Sequence, residues 1–366
     1  MKKIFTVLTS IALTFALSFS AAFANDDALM KSQNYLKTIT LDSPDAVIAY
    51  EATGMEADYK ADALLNNFKE TDYVTASYGD LAKSIIAISL LGENPKDFNN
   101  TNLVEILENR VQEDGTLTND VNGGCGATIW TLMALETVNS PKVKAVADKL
   151  STMAMENGAY WYEYQGPNAD LDTTGWAMEA LSVAGRSTYK AAISKAYTFV
   201  QSKLNSTDGY YDNWGGNADT QSCVLEGLSV AGYTLDTNAY NYLLSYQNED
   251  GTFNALNYST SQLEPNAYAS VEGARALGVI NNGSFVLRAR TTTPVVTEPE
   301  TPTKPSTPTT PGTTTPAVKP ETTTTEPKKE TVKVVNTGDN TNVMAYVVAA
   351  IAAVGVIVLV IKSKKK

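Results

Sequence analysis

Apolar positions recur along the chain in blocks that superpose on one another. Five blocks of ten residues align without gaps, and their last residues lie 47, 46, 47 and 46 positions apart. The blocks are 79–88, 126–135, 172–181, 219–228 and 265–274. Two of them run into the same five residues, LSVAG, and one aligned position holds Glu179, Glu226 and Glu272. A period this regular indicates a repeat architecture.

Each block has the pattern of a buried helix. A capping residue stands near its start, small and apolar residues fill most faces, and Gly often closes the end. Amphipathic segments such as 143–155 and 190–204 lie between the blocks, and a shorter copy at 45–54 pairs with 27–39. These twelve helices in six hairpins predict an all-α domain over 25–290, an α6/α6 toroid with an inner ring inside an outer ring. An open superhelix is the alternative.

The connections between the helices differ in length. Links from a buried helix to the next amphipathic one are short, whereas the return links are long: 112–125, 156–171, 205–219 and 248–265. The long loops and the first residues of the buried helices therefore share one rim, where function is expected. Cys125 and Cys223 belong to repeats two apart, so their Cα atoms should exceed the roughly 7 Å limit of a disulfide, and both are expected to be unpaired.

Both ends of the chain have the sequence features of targeting signals. Residues 1–24 have the basic start, apolar run and small-residue cleavage pattern of a secretory signal peptide. Residues 343–361 form an uncharged apolar stretch of 19 residues, long enough for a transmembrane helix, and a tail of four lysines follows. A Pro/Thr-rich linker at 291–333 leads to it and is predicted to be an extended, disordered stalk. We therefore expect a cell-surface domain whose C-terminus starts out cytoplasmic.

The segment 334–339 resembles the sorting signals of Gram-positive wall-anchored proteins. In those signals Leu-Pro-any-Thr-Gly precedes an apolar segment and a basic tail; here Thr337 and Gly338 match, while Val334 and Val335 replace the Leu and Pro. The resemblance implies cleavage by a sortase and transfer of Thr337 to peptidoglycan. A permanent membrane anchor through 343–361 is the alternative.

Composition narrows the possible partners and chemistries. Residues 25–291 contain 17 Lys and Arg against 34 Asp and Glu, a net charge of −17, which opposes binding to nucleic acid. The chain has no histidine, and this excludes a His general base and an imidazole metal ligand. With only two cysteines besides, we expect no metal site.

The turn after one amphipathic helix points to a family. The run Gln247–Phe253, QNEDGTF, is similar to the Gln-any-any-Asp-Gly-any-aromatic repeats of squalene cyclases and prenyltransferases, and partial copies stand at Glu113–Gly115 and Thr207–Tyr210. The block 172–181 resembles the inner-helix openings of those proteins and equally those of the cobalamin carriers, the intrinsic factor and transcobalamin group. The resemblance covers most of 40–280 and implies the α/α-toroid fold. It does not imply one activity, because this fold hosts enzymes and carriers.

Two acids are weak catalytic candidates. The run Asp170-Leu171-Asp172-Thr173 matches three of the four positions of Asp-any-Asp-Asp, the proton-donating motif of class II terpene cyclases, but lacks its last carboxylate. The favoured alternative for Asp172, and for the matching Asp219, is a helix N-cap.

The long loops are rich in aromatic residues and acids. We predict ligand binding by the rim residues Tyr160, Trp161, Tyr164, Asp172, Tyr210, Tyr211, Trp214 and Asp219. Aromatic rings with polar tips suit a corrin ring or a sugar, so a cobalamin-like ligand is the one cofactor considered. The alternatives are that these rings only pack the loops, or that Glu163 forms a glycosidase pair with Asp172 or Asp219. The sequence favours a non-enzymatic module that binds a small molecule or a surface partner; a terpene-cyclase-like or polysaccharide-active enzyme is the alternative.

Overall fold

The computed structural model describes residues 26–56, 66–67, 71–120, 124–162, 166–210 and 216–292. All of them belong to one compact unit, Met1–Glu298. The predicted signal peptide, the predicted linker beyond 292, the segment with Thr337 and Gly338 that resembles a sorting signal, and the apolar stretch 343–361 lie outside the described residues. Within the described ranges, every helix is too short or too polar to cross a membrane.

The described chain is mostly helical, which confirms the all-α prediction. The helices are α1 (Asp26–Leu36), α2 (Pro44–Ala52), α3 (Tyr78–Leu90), α4 (Leu103–Glu108), α5 (Gly126–Thr137), α6 (Val143–Met153), α7 (Leu171–Gly185), α8 (Lys190–Gln201), α9 (Ala218–Ala231), α10 (Thr237–Ser245), α11 (Ala267–Asn282) and α12 (Phe285–Thr292). Two antiparallel hairpins interrupt them: β1 (Leu204–Asn205) with β2 (Gly209–Tyr210), and β3 (Phe253–Asn257) with β4 (Gln262–Asn266). Both hairpins lie in predicted long loops.

The six predicted buried helices are α2, α3, α5, α7, α9 and α11. Ten of the twelve residues of α5 and twelve of the fourteen residues of α9 are buried, because small and apolar side chains cover all their faces. Each of these helices packs against the next one in the chain, and α11 packs against α2. Asn282 of α11 also donates a hydrogen bond of 2.9 Å to the carbonyl oxygen of Ala52. The contacts among the buried helices therefore run in a closed cycle.

The amphipathic helices cover this cycle from outside. α4 lies on α3 and α5, α6 on α5 and α7, and α8 on α7 and α9. α10 lies on α9, and α1 lies on α2 and α11. Each amphipathic helix buries only its apolar face, as in α6, where Val146, Ala147 and Leu150 are buried.

The turn that carries the QNEDGTF run joins the two ends of the domain. The side-chain amide of Gln247 donates to the carbonyl oxygen of Ala28 and to the Ser32 hydroxyl, both at 2.9 Å, and so clasps α1. Gly251 has φ +86°, and a Cβ there would lie 2.0 Å from the carbonyl oxygen of Lys31. The motif therefore has a structural role: its glycine has no side chain, which lets the turn pack closely against the neighbouring amphipathic helix.

The last helix, α12, packs against buried helices distant from its predecessor α11. It contacts α2, α3 and α5, and Phe285, Val286 and Ala289 are fully buried. Arg288 donates to the carbonyl oxygen of Glu51 near the carboxyl end of α2. The sequence placed the domain boundary at 290, whereas α12 continues to Thr292 and closes the domain at the carboxyl ends of the buried helices.

Candidate functional site

Asp172 and Asp219 do not cap their helices, so the favoured expectation was wrong. The caps are Asp170, whose carboxylate accepts from the Thr173 N–H at 2.7 Å, and Asn217, whose side chain accepts from the Thr220 N–H at 2.8 Å. Both caps have extended backbone, the geometry that lets an oxygen side chain reach the third helical residue. Asp172 and Asp219 are the second residues of α7 and α9, two positions beyond the caps.

Asp219 belongs to a polar cluster within the cycle of buried helices. We call this the central cluster; it comprises Asp45 of α2, Lys83 of α3, Trp130 of α5, Trp176 and Glu179 of α7, Asp219, Cys223 and Glu226 of α9, and Glu272 and Arg275 of α11. Contacts or electrostatic interactions link each member to another member on a different helix. All six buried helices therefore contribute to one set of polar and aromatic side chains.

Arg275 is the hub of the cluster. Its Nε donates to Glu226, at 3.2 Å and 3.0 Å from the two carboxylate oxygens, and its Nη2 lies 3.6 Å from a Glu272 oxygen. The guanidinium carbon lies 6.0 Å from the ring centre of Trp130 on α5, a helix not adjacent to α11 in the cycle. Arg275 is 1 % exposed, so its charge interacts in a medium of low dielectric.

A second cation lies on the other side of the cluster. Lys83 forms an ion pair of 2.8 Å with Asp45, and its ammonium lies 4.6 Å above the Trp130 ring. Trp130 meets Trp176 edge to face, with ring centres 5.7 Å apart. Trp130 thus contacts both cations of the cluster and the indole of Trp176, an arrangement that favours cation–π attraction.

Acidic groups outnumber the two cations. Burial, followed by the neighbouring Glu226, raises the pKa of Glu179, whose carboxylate also accepts from the Ser284 hydroxyl at 2.9 Å. Burial also raises the pKa of Glu272. Burial and then Glu272 raise the pKa of Asp219 to about 7. The excess acid is therefore accommodated by protonation as well as by ion pairing.

Four buried atoms of the cluster make no hydrogen bond to any described residue: Asp219 Oδ1, Glu179 Oε2, Trp176 Nε1 and Arg275 Nη2. Buried polar groups nearly always have partners, so such atoms mark a place where a further group is needed. They comprise two carboxylate oxygens and two N–H donors. A molecule with hydroxyl, amide or amine groups would match them.

The rim residues predicted for ligand binding divide into groups. Tyr160 and Tyr210 are fully buried; their backbone N–H groups donate to Thr174 and Gln221 side chains, so they pack the loops onto α7 and α9. Trp161 is half-buried, and its carbonyl accepts from the N–H of Cys125. The rest of the aromatic set, together with Glu163, lies outside the described residues: Tyr164, Tyr211 and Trp214.

Sequence reasoning missed most of the central cluster. The aligned glutamates were visible as a column of charge in otherwise apolar helices, which is a signal of buried polar function, and Trp130 and Trp176 share another aligned position. Lys83 and Arg275 have no like residue at the aligned positions of the other repeats. Cys125 and Cys223 are both buried and are not joined in a disulfide, as expected. Burial raises the pKa of the Cys223 thiol, which lies 3.6 Å from Glu272, and this favours the uncharged thiol.

Among the described residues, no group of three or more Cys, Asp or Glu side chains has an arrangement that would hold a metal ion. No protein-family model matches the chain, and no curated protein matches it.

Replacing Asp219 with Asn is expected to stabilise the protein at high pH. The pKa of Asp219 is 3.8 when unperturbed and about 7 in the fold, so between these values the folded state binds more protons and loses stability as pH rises. A shift of three pKa units corresponds to at most about 4 kcal/mol. If the new Asn side-chain amide makes no hydrogen bond in the fold, part of this gain in stability is lost. Urea unfolding should show a gain of about 2 kcal/mol for Asp219→Asn at pH 8 and little difference at pH 4.

Asp97→Asn is the matched control, because it makes the same change at an exposed carboxylate. An equal gain for Asp219→Asn at pH 4 and pH 8 would contradict burial of a titrating carboxyl at this position.

Proposed function

We propose that this protein is a cell-surface α6/α6 toroid that binds a small polar or amphipathic molecule at its central cluster, without catalysis. One observation carries the proposal: all six buried helices contribute to a cluster in which Asp219, Trp176 and Arg275 each have a buried polar atom without a described hydrogen-bond partner. A purely structural core would place apolar side chains there, since unpaired buried polar groups are costly.

The closed cycle of helix contacts supports the toroid. Contacts of α11 with α2 and of Gln247 with α1 join the last repeat to the first. A ring requires such contacts, whereas in an open superhelix the first and last repeats do not meet. The resemblance of Gln247–Phe253 and of 172–181 to squalene-cyclase, prenyltransferase and cobalamin-carrier repeats supports the same fold. Membership in that superfamily is part of the proposal.

The chemistry of the cluster favours a ligand with hydrogen-bond donors. Asp219 and Glu272 are acids with raised pKa values, and Asp172 matches Asp219 in the preceding repeat. A donor or a positive charge placed beside them would favour their ionised forms and so gain binding energy. The indoles of Trp130 and Trp176 suit an apolar face on the same molecule. Oligosaccharides and corrinoids combine both properties, and Trp161, Trp214, Tyr164 and Tyr211 would extend the site along the rim.

Surface display rests on the ends of the chain. A signal peptide at 1–24, an extended linker at 291–333 and a membrane segment at 343–361 would present the toroid outside the cell, with a sortase and peptidoglycan as partners if Thr337–Gly338 is cleaved. Mass spectrometry of the C-terminal peptide of the surface protein distinguishes the two anchors. A peptide that ends at Thr337 supports sorting, and one that ends at Lys366 supports a permanent membrane anchor.

Native mass spectrometry of the full chain in detergent, with corrinoids, soluble isoprenoids and neutral oligosaccharides, tests the binding function. We expect ligands of one class to stay bound, which is seen as a mass shift. The variants Asp219→Asn and Trp176→Phe should bind the same ligand at least tenfold more weakly, because they remove the unpaired acceptor charge and the unpaired donor. Asp97→Asn should bind as the unmodified protein does. If all three classes leave the protein unshifted, the small-molecule function fails.

A catalytic acid is the second candidate, favoured by the pKa of Asp219 at about 7. A carboxyl group with this pKa is partly protonated at neutral pH and suits a general acid that acts on an alkene or a glycosidic bond. Incubation of the full chain with the same isoprenoids and oligosaccharides should then yield product, at a rate that falls above pH 7 and is lost in Asp219→Asn. Complete recovery of unaltered ligand would leave the carrier function.

A further inference from the structure

A basic segment interrupts the acidic domain. Residues 180–207 contain Arg186, Lys190, Lys195 and Lys203 and no Asp or Glu, whereas residues 25–291 as a whole carry a net charge of −17. The segment comprises the end of α7, all of α8 and the turn that follows. Because the domain as a whole repels anions, a segment with four positive and no negative side chains is a candidate place for an anion to bind.

A groove of about 680 Å³ lies on this segment. It is lined by Ser182, Arg186, Ser187, Lys190, Ile193 and Tyr233, and also by the last residue of α9. Ser182 and Ala231 stand near the carboxyl ends of α7 and α9, and Lys190 and Ile193 stand on α8; none of the lining residues belongs to the central cluster. The groove is therefore separate from the central cluster. Its volume falls within the range of about 300–1,000 Å³ found for small-ligand sites.

The aromatic wall of the groove is held in place. Tyr233 stacks on Tyr197 of α8 with ring centres 3.8 Å apart and planes 5° apart. A side chain supported in this way offers a flat, apolar surface with a polar hydroxyl at its edge, which suits the face of a sugar ring. Ser182 and Ser187 add hydroxyl groups to the same groove.

The two cations of the groove differ in the contacts that they make with the rest of the protein. Arg186 donates to the carbonyl oxygen of Val230, which fixes its guanidinium at the end of α9 and leaves further N–H groups. Lys190 is exposed and forms no ion pair with any described residue. An anchored guanidinium beside a mobile ammonium is a combination suited to carboxylate or phosphate groups.

We propose that this groove binds a short anionic saccharide chain whose sugar units carry carboxylate or phosphate groups. The saccharide ring lies against Tyr233, and its acidic groups contact Arg186 and Lys190. The surrounding net charge of the domain confines such a chain to this segment, so binding is local and depends strongly on salt.

Isothermal titration of the full chain in detergent tests the proposal with four probes. Hexagalacturonate supplies carboxylated sugars, a phosphorylated mannohexaose supplies phosphate, maltohexaose is the neutral sugar, and hexaglutamate is the anion without sugar. We expect one or both acidic saccharides to bind at 20 mM salt, at least tenfold more tightly than maltohexaose and hexaglutamate, and to weaken at 300 mM salt. Whichever acidic saccharide binds more tightly identifies the acidic group.

Lys190→Glu is expected to weaken that binding at least tenfold. Lys96→Glu makes the same reversal at an exposed lysine outside the groove and should leave the affinity unchanged. Tyr233→Leu should reduce the preference for acidic saccharide over hexaglutamate, and an unchanged thermal unfolding midpoint shows that each variant is folded. The proposal is overturned by equal binding of maltohexaose or hexaglutamate, by equal effects of the two charge reversals, or by the absence of binding to both acidic saccharides. None of these outcomes depends on ligand binding at the central cluster.

Discussion

Arg275→Met is expected to lower the free energy of unfolding by about 3–5 kcal/mol at pH 7.5, the range for a buried ion pair that loses one partner. Glu226 and Glu272 are 1 % and 3 % exposed, and Arg275 is their shared cation. Methionine fills a similar volume without charge. The decrease in the free energy of unfolding therefore reports the buried carboxylates that have lost their cation, rather than a cavity. Equilibrium urea unfolding of the full chain is the measurement.

The effect of Arg275→Met should diminish as pH falls. Burial already raises the pKa of Glu272 although Arg275 opposes this, so without the guanidinium Glu272 is protonated more readily in the folded state than in the unfolded chain. The folded state then takes up protons, and stability is lost as pH rises above about 4.5. The variant Arg275→Met with Glu226→Gln and Glu272→Gln serves as the control and should recover most of the loss at pH 7.5. A deficit of equal size at pH 4 and pH 7.5 would show that packing, not charge, is responsible.

Gly251→Ala is expected to destabilise the protein by about 2 kcal/mol more than Gly92→Ala. Both glycines have positive φ, +86° and +76°, so both substitutions carry the same backbone cost of roughly 1–2 kcal/mol. The alanine Cβ at 251 would lie 2.0 Å from the Lys31 carbonyl oxygen, whereas nothing lies within 4 Å at 92. Forcing a methyl group into a packed contact typically costs about 1–3 kcal/mol.

The difference between the two glycine variants isolates the contact that joins α1 to the turn after α10. Thermal unfolding should show a lower midpoint for Gly251→Ala, by roughly 4–8 °C relative to Gly92→Ala in a domain of this size. Equal midpoints would mean that this turn moves away from α1 at little cost.

The period of the apolar pattern predicted the buried helices well. The blocks at 126–135, 172–181 and 219–228 all fall within observed helices, and 143–155 and 190–204 correspond to α6 and α8. The pattern succeeds because burial on all faces leaves few sequences other than small and apolar ones. It fails for α12 and the two hairpins, since eight helical residues beside a Pro/Thr-rich stretch and strands of two or five residues within a loop carry too little periodicity.

The candidate site was less accessible from the sequence. Asp170 and Asp172 are both plausible caps by residue type, and only backbone geometry decides that Asp170 reaches the Thr173 N–H. Arg275 and Trp130 are 145 positions apart in the chain, and their approach depends on how the helices close upon one another. A repeat period aligns equivalent positions, but it does not reveal which unequal side chains meet in the middle.

The closing contacts of the domain determine the order in which it can form. Gln247 bonds to Ala28 and Asn282 bonds to Ala52, across separations of 219 and 230 residues. Neighbouring helices contact residues only some tens of positions away, so their hairpins can assemble as soon as each is synthesised. The two closing contacts need the complete domain and are entropically the slowest to form. Until α10 and α11 emerge, α1 and α2 form an unprotected starting edge, and α12, which is synthesised last, packs on helices that are already present.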